Sequence, residues 1–572
     1  MAINIEGRRF PIGAEFLGDN RGIHFRVWAP VHRMVQVVFS SNFSSGKPQK
    51  EIPLPLQMDQ EKNGYFSAHI DALPPGVLYG FKFDGKERAF PDPASRFQPD
   101  GPVGLSRVID PGRFKWSDST WRGIPREGNI LYEMHIGTFT QEGTWDAASG
   151  ELEELSRMGI TVLEILPVAD FSGNFNWGYD GIFQFAPSRS YGHPDQFRHF
   201  IDKAHSLGIG VILDVVYNHF GPGRSLFEKY SPYYFSSIHK TEWGAATNFD
   251  GEFCTPVREY FLSNARYWIE EFHLDGMRID ATQQTFDDSP VNIMQEITDT
   301  VRKSAGGRST LIVGENEPQD SSLLSKYKFD SLWNDDFHRT AMVALTGHAE
   351  AYFSDYMGTP QEFISSAKYG FLYQGQYYSW QKKTRGTPSL DLPTECFVNY
   401  LQNHDQIANT CRGIRIHHLC GPGRYRAMTA LLLLGPQTPL LFQGQEFAAS
   451  TPFHYFSDRD GQNVPGAVNG RKTFLSQFKS IAFVNGPIGP QPSNPEAFLS
   501  CKLNFGERIS KQQYYSLHCD LINLRKNDPV FKTSGRKRID GAVLGREIFI
   551  IRFFGLTPSI IPAIKCYPFH AA

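Results

Sequence analysis

Four apolar segments of this 572-residue chain each contain or end in a carboxylate. Asp214 lies within VILDVVYNH, Asp280 follows GMRI, Glu315 follows LIVG and Asp405 follows QNH. A carboxylate buried in an apolar strand costs free energy unless it is paired. An ion pair or a helix cap would explain any one of these acids alone. Four of them at strand ends favour one shared chemical site.

The spacing around two of these acids suggests distinct roles. Arg278 and Asp280 are two positions apart, so both side chains lie on the same face of a strand. A guanidinium beside Asp280 would keep it ionised, as a nucleophile requires. Glu315 follows the apolar residues 312–314, and such an approach raises a carboxyl pKa towards that of a proton donor. Two carboxylates in such different settings fit glycoside cleavage through a covalent glycosyl-enzyme intermediate.

Other polar and aromatic residues near these acids are candidate sugar ligands. We expect His219, His404 and Asp405 to bind the hydroxyl groups of the sugar that is cleaved. Trp177 and Tyr179, in the segment NWGYDG, have aromatic faces that suit a sugar ring. Packing within a loop explains these two rings equally well, so both interpretations stay open.

Alternating apolar and amphipathic segments position these residues. Strand-length apolar runs are predicted at 130–139, 161–167, 210–218, 275–281, 310–315, 330–335, 397–401 and 439–442. Helix-period segments separate them, at 151–158, 196–206, 257–272, 293–302 and 424–434. Near-continuous apolar strands alternating with helices indicate a parallel sheet covered on both faces. About eight such repeats predict an α/β fold of the (β/α)8 TIM-barrel type.

The two ends of the chain have a different pattern. Short strands at 23–28, 36–39, 65–70 and 77–83 are separated by turn residues, which predicts an N-terminal antiparallel β-sandwich. A helix at 513–524 and a strand at 547–554 predict a small, reduced C-terminal β domain, and the last twenty or so residues are left unassigned. The predicted domains are residues 1–110 for the sandwich, 111–525 for the catalytic barrel and 526–572 for the C-terminal region.

The composition argues against several classes of protein. A net charge of −3 and a pI near 6.7 give no broad field for nucleic acid or an anionic membrane, so we expect neither as a partner. No apolar run reaches membrane-spanning length, and the N-terminus lacks the pattern of a secretory signal. Seven cysteines, an odd number without a CxxC pair, argue against a complete disulfide framework. These features predict a cytoplasmic location and leave the oligomeric state open.

Four short segments of the chain resemble the signature regions of the α-amylase superfamily, in the right order. They are DVVYNH at 214–219, GMRIDA at 276–281, VGE at 313–315 and NHDQ at 403–406. The resemblance implies that Asp280 is the nucleophile, that Glu315 is the general acid/base, and that Asp405 distorts the sugar and supports the transition state. It also implies that His219, Arg278 and His404 contact the reacting sugar, and that Asp214 is a structural acid beside Arg278.

Longer segments are similar to one branch of that superfamily, the maltooligosyltrehalose trehalohydrolases. These segments include residues 90–106, YNHFGPG at 217–223, KTEWGAATNFDG at 240–251, WNDDFH at 333–338 and GQEFAASTPF at 444–453. The resemblance implies hydrolysis of the α-1,4 bond next to the terminal trehalose of maltooligosyltrehalose. Two features depart from the family pattern, namely Gln445, where a second acid is expected in a GEEF-like motif, and the tail after residue 549.

Several alternatives remain at this point. A 1,4-α-glucan branching enzyme would use the same acids but transfer the glycosyl group to another glucan. A debranching enzyme would cut α-1,6 bonds. An inactive glucan-binding homologue would normally lack one of the three acids Asp280, Glu315 and Asp405, all of which are present. No metal or other cofactor is expected, because residues 220–255 contain no dense cluster of oxygen ligands such as DxDxDG.

Overall fold

The N-terminal part of the chain is a β-sandwich. The computed structural model describes residues 7–40, 55–71, 73–222, 224–458, 465–482, 489–532 and 538–555. The sandwich strands are β1 (Gly13–Phe16), β2 (Ile23–Trp28), β3 (Val35–Ser40), β4 (Leu56–Gln57), β5 (Asp59–Gln60), β6 (Tyr65–Ile70), β7 (Leu78–Phe83) and β8 (Ser106–Arg107). They form two four-stranded antiparallel sheets in the orders β1-β2-β6-β5 and β4-β3-β7-β8. The predicted antiparallel sandwich is therefore confirmed.

Aromatic rings fill the space between the two sandwich sheets. Phe25 of β2 contacts Phe39 of β3 and Tyr79 of β7, with ring centroids 5.6 Å and 5.0 Å apart. All six residues of β2 are buried, because one face packs on the second sheet and the other is covered as well. Trp28, at the end of β2, contacts the ring of Tyr234, which lies beyond the sandwich. This contact packs the sandwich against the segment that follows the third barrel strand.

The next sixteen strands include the barrel. They are β9 (Leu131–Met134), β10 (Val162–Ile165), β11 (Ala169–Asp170), β12 (Phe183–Pro187), β13 (Gly210–Val215), β14 (Phe235–Thr241), β15 (Gly244–Thr247), β16 (Gly276–Ile279), β17 (Leu311–Gly314), β18 (Ser331–Trp333), β19 (Tyr377–Tyr378), β20 (Lys383–Thr384), β21 (Phe397–Tyr400), β22 (Thr438–Phe442), β23 (Ile539–Val543) and β24 (Phe549–Phe553). Eight of them close a parallel barrel in the order β9-β10-β13-β16-β17-β18-β21-β22. Each lies within or beside a predicted apolar run, so the predicted TIM barrel is confirmed.

The barrel strands are buried on both faces, as their continuous apolar sequences require. All six residues of β13, GVILDV, are buried. Gly276 begins β16 with φ +154°, and a Cβ there would lie 1.8 Å from the carbonyl oxygen of Leu311 on β17. Only glycine therefore permits β16 and β17 to pair in this register, which aligns Arg278 with Val313.

Helices surround the barrel. They are α1 (Ile136–Phe139), α2 (Trp145–Gly150), α3 (Leu152–Met158), α4 (Pro194–Ser206), α5 (Arg224–Tyr230), α6 (Cys254–Glu271), α7 (Ile293–Ser304), α8 (Ser322–Ser325), α9 (Asp335–Thr346), α10 (Pro360–Tyr369), α11 (His404–Ala408), α12 (Pro422–Leu434), α13 (Pro465–Leu475), α14 (Lys479–Ala482), α15 (Pro495–Leu499), α16 (Glu507–Ser510), α17 (Gln512–Asn527) and α18 (Pro529–Lys532). Within the described ranges, none of them has the length and apolar character needed to cross a bilayer.

Local signals fix where the helices begin and end. Pro194 occupies the first turn of α4, and His193 and Gln196 form a capping box there. Asn292 caps α7 by accepting a hydrogen bond from the backbone of Met294 at 2.9 Å. These caps satisfy backbone N–H groups that a helix start leaves unpaired, so the helix bounds follow from sequence.

The C-terminal region contains an antiparallel hairpin of β23 and β24. Phe549 of β24 stacks on Phe363 of α10, with ring centroids 5.7 Å apart, so the hairpin packs against the outside of the barrel. The strand predicted at 547–554 is thus found as β24. The unassigned last residues, with Cys566, lie outside the described residues. Among the described side chains, Cys254, Cys396, Cys420, Cys501 and Cys519 are free thiols.

Candidate active site

The carboxyl ends of neighbouring barrel strands bring the sequence-predicted acids together. Strand pairing places Asp214 of β13 opposite Arg278 of β16, and Arg278 opposite Val313 of β17. Asp280 and Glu315 each follow their strand by one residue and therefore lie at the barrel mouth. The backbone N–H of Glu315 donates to the carbonyl oxygen of Ile279 at 3.0 Å, which keeps the two strand ends in step.

Arg278 is the central cation of this group. Its Nη1 donates to both oxygens of Asp214 at 2.8 and 2.7 Å and to Oδ1 of Asp280 at 2.8 Å. Its Nη2 lies 2.8 Å from Oε2 of Glu315, and its guanidinium stacks 4.2 Å from the ring centre of Trp333. Arg278 is 1% exposed, and these anions outweigh burial and raise its pKa. One fixed cation therefore joins three carboxylates.

Asp280 is held by two donors. Oδ1 accepts from Arg278, and Oδ2 accepts from Nδ2 of Asn218 at 3.0 Å. Burial raises the pKa of Asp280 above its ordinary value, while Arg278 acts in the opposite direction. The sequence-based expectation that Arg278 sets the charge of Asp280 identifies the right partner but omits burial, which has the larger influence. The two donors remain suited to hold a carboxylate in one orientation.

Glu315 has the properties of a proton carrier. Oε2 accepts from the backbone N–H of Ala281 at 2.9 Å and lies 2.8 Å from Nη2 of Arg278. Burial raises the pKa of Glu315 to about 8, opposed by Arg278 and reinforced by the charges of Asp280 and Asp405. A quarter of its side-chain surface is exposed, so a ligand can reach it. At neutral pH Glu315 is therefore mostly protonated.

Asp405 and His404 begin the short helix α11. Asn403 caps this helix by accepting from the backbone of Gln406 at 2.8 Å, and Asp405 is half-buried in its first turn. Nδ1 of His404 lies 2.5 Å from Oε1 of Glu133, and Glu133 outweighs burial and raises the pKa of His404. The charge of Asp405 helps to raise the pKa of Glu315, so the third acid lies near Glu315.

His219 lies on the same side of the barrel mouth as Asn218. Nδ1 of His219 contacts Oδ1 of Asn218, and burial lowers the pKa of His219 to about 4. The imidazole is therefore neutral at pH 7 and can exchange hydrogen bonds with hydroxyl groups. Trp243, between β14 and β15, stacks on His219 with centroids 4.8 Å apart and is 54% exposed. An exposed ring on a polar pocket is a good surface for a sugar face.

The two aromatic candidates, Tyr179 and Trp177, differ in their exposure and in their contacts. Tyr179 donates to Oδ2 of Asp214 at 2.5 Å and stacks on His404 with centroids 5.2 Å apart, so it lies within the acid group. Trp177 is 4% exposed, and its Nε1 donates to the carbonyl oxygen of His454 at 2.9 Å. Trp177 packs in a buried cluster and does not offer a free face to a ligand. The burial of Trp177 favours loop packing, although its ring also contacts that of His404 at 5.0 Å, and a role in substrate binding stays a prediction.

Asp214, another candidate of the sequence analysis, lies beneath Arg278. It is 2% exposed, and both its oxygens accept from Arg278. Its contacts are with Arg278 and Tyr179, so it supports the site from below and has no free surface for a sugar. Burial raises its pKa, which Arg278 opposes. The geometry agrees with the structural role beside Arg278.

Sequence reasoning missed three residues of this site. Asn218 orients Asp280, Glu133 orients His404, and Trp243 covers His219. Glu133 is buried within β9, so it carries the same signal as Asp214, an acid inside an apolar strand. Trp243 lies within KTEWGAATNFDG, where no periodicity marks an exposed ring. Only the folded chain reveals that contact.

Gln445, the departure noted in the sequence, lies behind the barrel mouth. It is completely buried, and its backbone N–H donates to the carbonyl oxygen of Phe442 at 2.9 Å. The neighbouring Glu446 accepts from the hydroxyl of Tyr132 at 3.1 Å, and burial raises its pKa. One acid in this motif therefore occupies a buried hydrogen-bonded site, and an uncharged Gln445 avoids burying a second.

Known proteins match the chain in both of its main parts. The model of carbohydrate-binding module 48, the isoamylase N-terminal domain, matches residues 11–98. The model of the alpha amylase catalytic domain matches residues 108–248. The first match covers the sandwich, and the second covers β9 to β15 of the barrel and its connections. These matches agree with the order of the two folds.

Relatives extend the similarity over most of the chain. A malto-oligosyltrehalose trehalohydrolase from Deinococcus radiodurans is 37% identical over 551 residues, 94% of this chain and 87% of the relative. One from Saccharolobus solfataricus is 38% identical over 460 residues, 79% of each chain. The crystal structure of a Salmonella typhimurium protein is 33% identical, with a TM-score of 0.87 over 96% of this chain and 92% of that one. The chain therefore belongs to the malto-oligosyltrehalose trehalohydrolase family of glycoside hydrolases, within the α-amylase superfamily.

Proposed function

We propose that the chain cleaves the α-1,4-glucosidic bond next to the terminal trehalose of maltooligosyltrehalose, with retention, and releases trehalose. The pair of acids bridged by Arg278 is the observation that carries the proposed chemistry. Asp280 and Glu315 each bind one terminal nitrogen of this guanidinium, at 2.8 Å. Retaining glycosidases have two carboxyl groups about 5 Å apart, so an adjacent, bridged pair supports a covalent route over an inverting one.

In the first step Asp280 attacks the anomeric carbon of the glucose unit bound to O4 of trehalose. The bond from that carbon to the O4 oxygen breaks, and Glu315 gives its proton to this oxygen, so trehalose leaves as a neutral alcohol. A pKa of about 8 keeps Glu315 protonated for this step at neutral pH. The products are free trehalose and a maltooligosaccharide joined to Asp280 as an ester.

In the second step Glu315, now ionised, takes a proton from water. The water oxygen attacks the anomeric carbon, the ester bond to Asp280 breaks, and the maltooligosaccharide is released with its configuration retained. Asp405 lies near Glu315 and is proposed to bind the sugar of the transition state. Neutral His219 and His404, which is paired with Glu133, are proposed to contact its hydroxyl groups, with Tyr179 stacked on His404.

Product analysis on maltooligosyltrehalose tests this proposal. We expect free trehalose as the first product, and Asp280→Asn to lower turnover by about a thousandfold or more while substrate still binds. Asp299→Asn is a matched control, because Asp299 is an exposed residue of α7 on the same barrel. Near-normal turnover of Asp280→Asn would contradict the assignment of the nucleophile.

The same incubation separates the hydrolase from its rivals. A branching enzyme would form new α-1,6 links from amylose, and a debranching enzyme would cut pullulan or amylopectin. An inactive glucan-binding homologue would bind the substrate without releasing trehalose. Membership of the trehalohydrolase family supports transfer to water as the outcome.

We further propose the division of the chain into residues 1–110, 111–525 and 526–572, with the catalytic residues in the second unit. We also propose a cytoplasmic location, and a role in trehalose formation that follows from the proposed product. Dependence on a catalytic cofactor is not part of the proposal, since the acids and Arg278 account for each step.

A further inference from the structure

Three side chains from separate segments come together near the hairpin that carries Trp243. His239 lies on β14, Asp250 in the loop before α6, and Asp288 in the loop after β16. One potential ligand atom of each lies within 4.8 Å of the other two. Nε2 of His239 is 3.5 Å from Oδ2 of Asp250. This group is distinct from the three proposed catalytic acids.

Two atoms of this group are buried without a hydrogen-bond partner. The side chain of Asp250 is 9% exposed, and its Oδ1 accepts no hydrogen bond. Nε2 of His239 is also buried and makes no hydrogen bond, although a quarter of that side chain is exposed. A separation of 3.5 Å between this nitrogen and Oδ2 of Asp250 is too long for a good hydrogen bond. A buried nitrogen and a buried oxygen without hydrogen-bond partners cost free energy, and a cation bound by both side chains would recover part of it.

Neighbouring contacts hold the His239 ring, the Asp250 carboxylate and the backbone at Asp288 in place. The ring of His239 stacks on Phe286, with centroids 4.8 Å apart and planes 8° apart. Oδ2 of Asp250 accepts from the backbone N–H of Asp288 at 3.1 Å. The adjacent Asp287 accepts from Arg258 at 2.8 Å, which fixes the loop that carries Asp288. The ligand atoms of His239 and Asp250 are therefore preorganised before a metal binds, and the loop brings Asp288 close to them.

We propose that His239, Asp250 and Asp288 bind a structural Zn²⁺ ion. Zinc takes histidine nitrogen and carboxylate oxygen at about 2.0–2.2 Å in a tetrahedron, so its ligand atoms are about 3.4 Å apart. The observed 3.5 Å between His239 and Asp250 matches this spacing. Calcium prefers an all-oxygen shell of six to eight ligands, which this group does not supply. The exposed position of Asp288 leaves room for water as the fourth ligand.

The ion would join two segments that lie close to the proposed active site. The β14–β15 hairpin carries Trp243, which stacks on His219, and the loop with Asp288 follows β16 and Asp280. A shared ion would fix the hairpin relative to that loop. The sequence expectation of no cofactor rested on the lack of a compact ligand motif, and these three ligands are far apart along the chain.

Zinc titration of the full-length chain tests the site directly and needs no activity measurement. After dialysis against a chelator, we expect calorimetry to show one equivalent of saturable Zn²⁺ binding. His239→Ala and Asp288→Asn should each weaken it more than about tenfold, the smallest effect usual for residues that only support ligands. His69→Ala is the control, because the exposed His69 and Asp71 are 3.7 Å apart and offer a surface pair of the same chemistry.

Thermal unfolding gives a second, independent measurement. Zinc at about a hundred times its Kd should raise the Tm of the chain by about 2 °C, and should leave the Tm of His239→Ala unchanged. Asp288→Asn keeps the backbone N–H that binds Asp250 and changes only an exposed carboxylate, so it separates loss of metal from loss of fold. Absence of saturable binding, or equal affinity in the His239→Ala and Asp288→Asn variants, would overturn the proposal and leave a simple ion pair.

Discussion

The pH dependence of trehalose release depends on the environment of Glu315. Burial and the charges of Asp280 and Asp405 raise its pKa from 4.5 to about 8, against the opposing charge of Arg278. This change favours the protonated form by about 5 kcal/mol. At pH 7 about nine-tenths of Glu315 is then protonated, against about 0.3% for an ordinary glutamate. The environment of Glu315 therefore raises its protonated fraction at pH 7 about three-hundredfold.

The expected profile of kcat/KM follows from this titration. Between about pH 6 and 7 kcat/KM should be nearly constant. Above pH 8 kcat/KM should fall by about tenfold per pH unit as Glu315 loses its proton. Asp405→Asn removes one of the charges that raise the pKa of Glu315, so the limb should move to lower pH in addition to a lower rate. Glu315→Gln should lose at least about a hundredfold in rate and lack this limb.

Initial rates of trehalose release at low substrate concentration, measured across the pH range, provide the assay. Asp299→Asn, on the exposed face of α7, should reproduce the wild-type limb, since it lies outside the acid group. A wild-type limb near pH 5 would mean that burial does not raise the pKa of Glu315. A limb that persists in Glu315→Gln would assign the titration to another group, and either result would refute the reasoning.

Two further predictions concern the stability of the barrel. Gly276→Ala should lose at least about 3 kcal/mol of unfolding free energy, because its Cβ would meet a backbone oxygen at 1.8 Å. Gly150→Ala is the control, because Gly150 has open space around it and the change should be neutral or slightly stabilising. Denaturant unfolding of the two variants and the wild type measures these differences. Burial opposes the charge of His205, yet Asp118 and Asp275 raise its pKa above 6.5, so its contribution to stability is full below pH 6.5 and is lost as pH rises through the folded pKa. The Tm difference between wild type and His205→Gln should therefore narrow as the pH rises above 6.5, with exposed His199→Gln of α4 as the control. A constant difference would contradict the linkage.

Much of the barrel could be predicted from sequence because its signal is local. Strands such as β13 and β17 are continuous apolar runs, and each ends close to a polar residue at the mouth. Strand alternation alone places Arg278 beside Asp280. The acids of the candidate site were therefore accessible from their positions along single strands, without knowledge of the contacts between strands.

The remaining site residues depend on contacts between distant segments. Glu133 meets His404 across the barrel, and Trp243 reaches His219 from a hairpin. Trp177 lies only two residues from Tyr179 and contacts its ring, yet Trp177 is buried whereas Tyr179 is partly exposed. Periodicity carries no information on such pairings, because they are set by the closure of the barrel and by loop packing. For the same reason, the sequence could not show whether burial or Arg278 has the larger effect on the pKa of Asp280.

Arg278 contacts the two reacting acids through different nitrogens of one guanidinium. Under the proposed roles, Asp280 gives up its negative charge when the ester forms, and Glu315 acquires one when its proton leaves. The charge thus moves from one side of the guanidinium to the other, and the total charge facing Arg278 stays constant. The surrounding dipoles need little rearrangement between substrate and intermediate, which is the electrostatic condition for a low barrier in a site shielded from water.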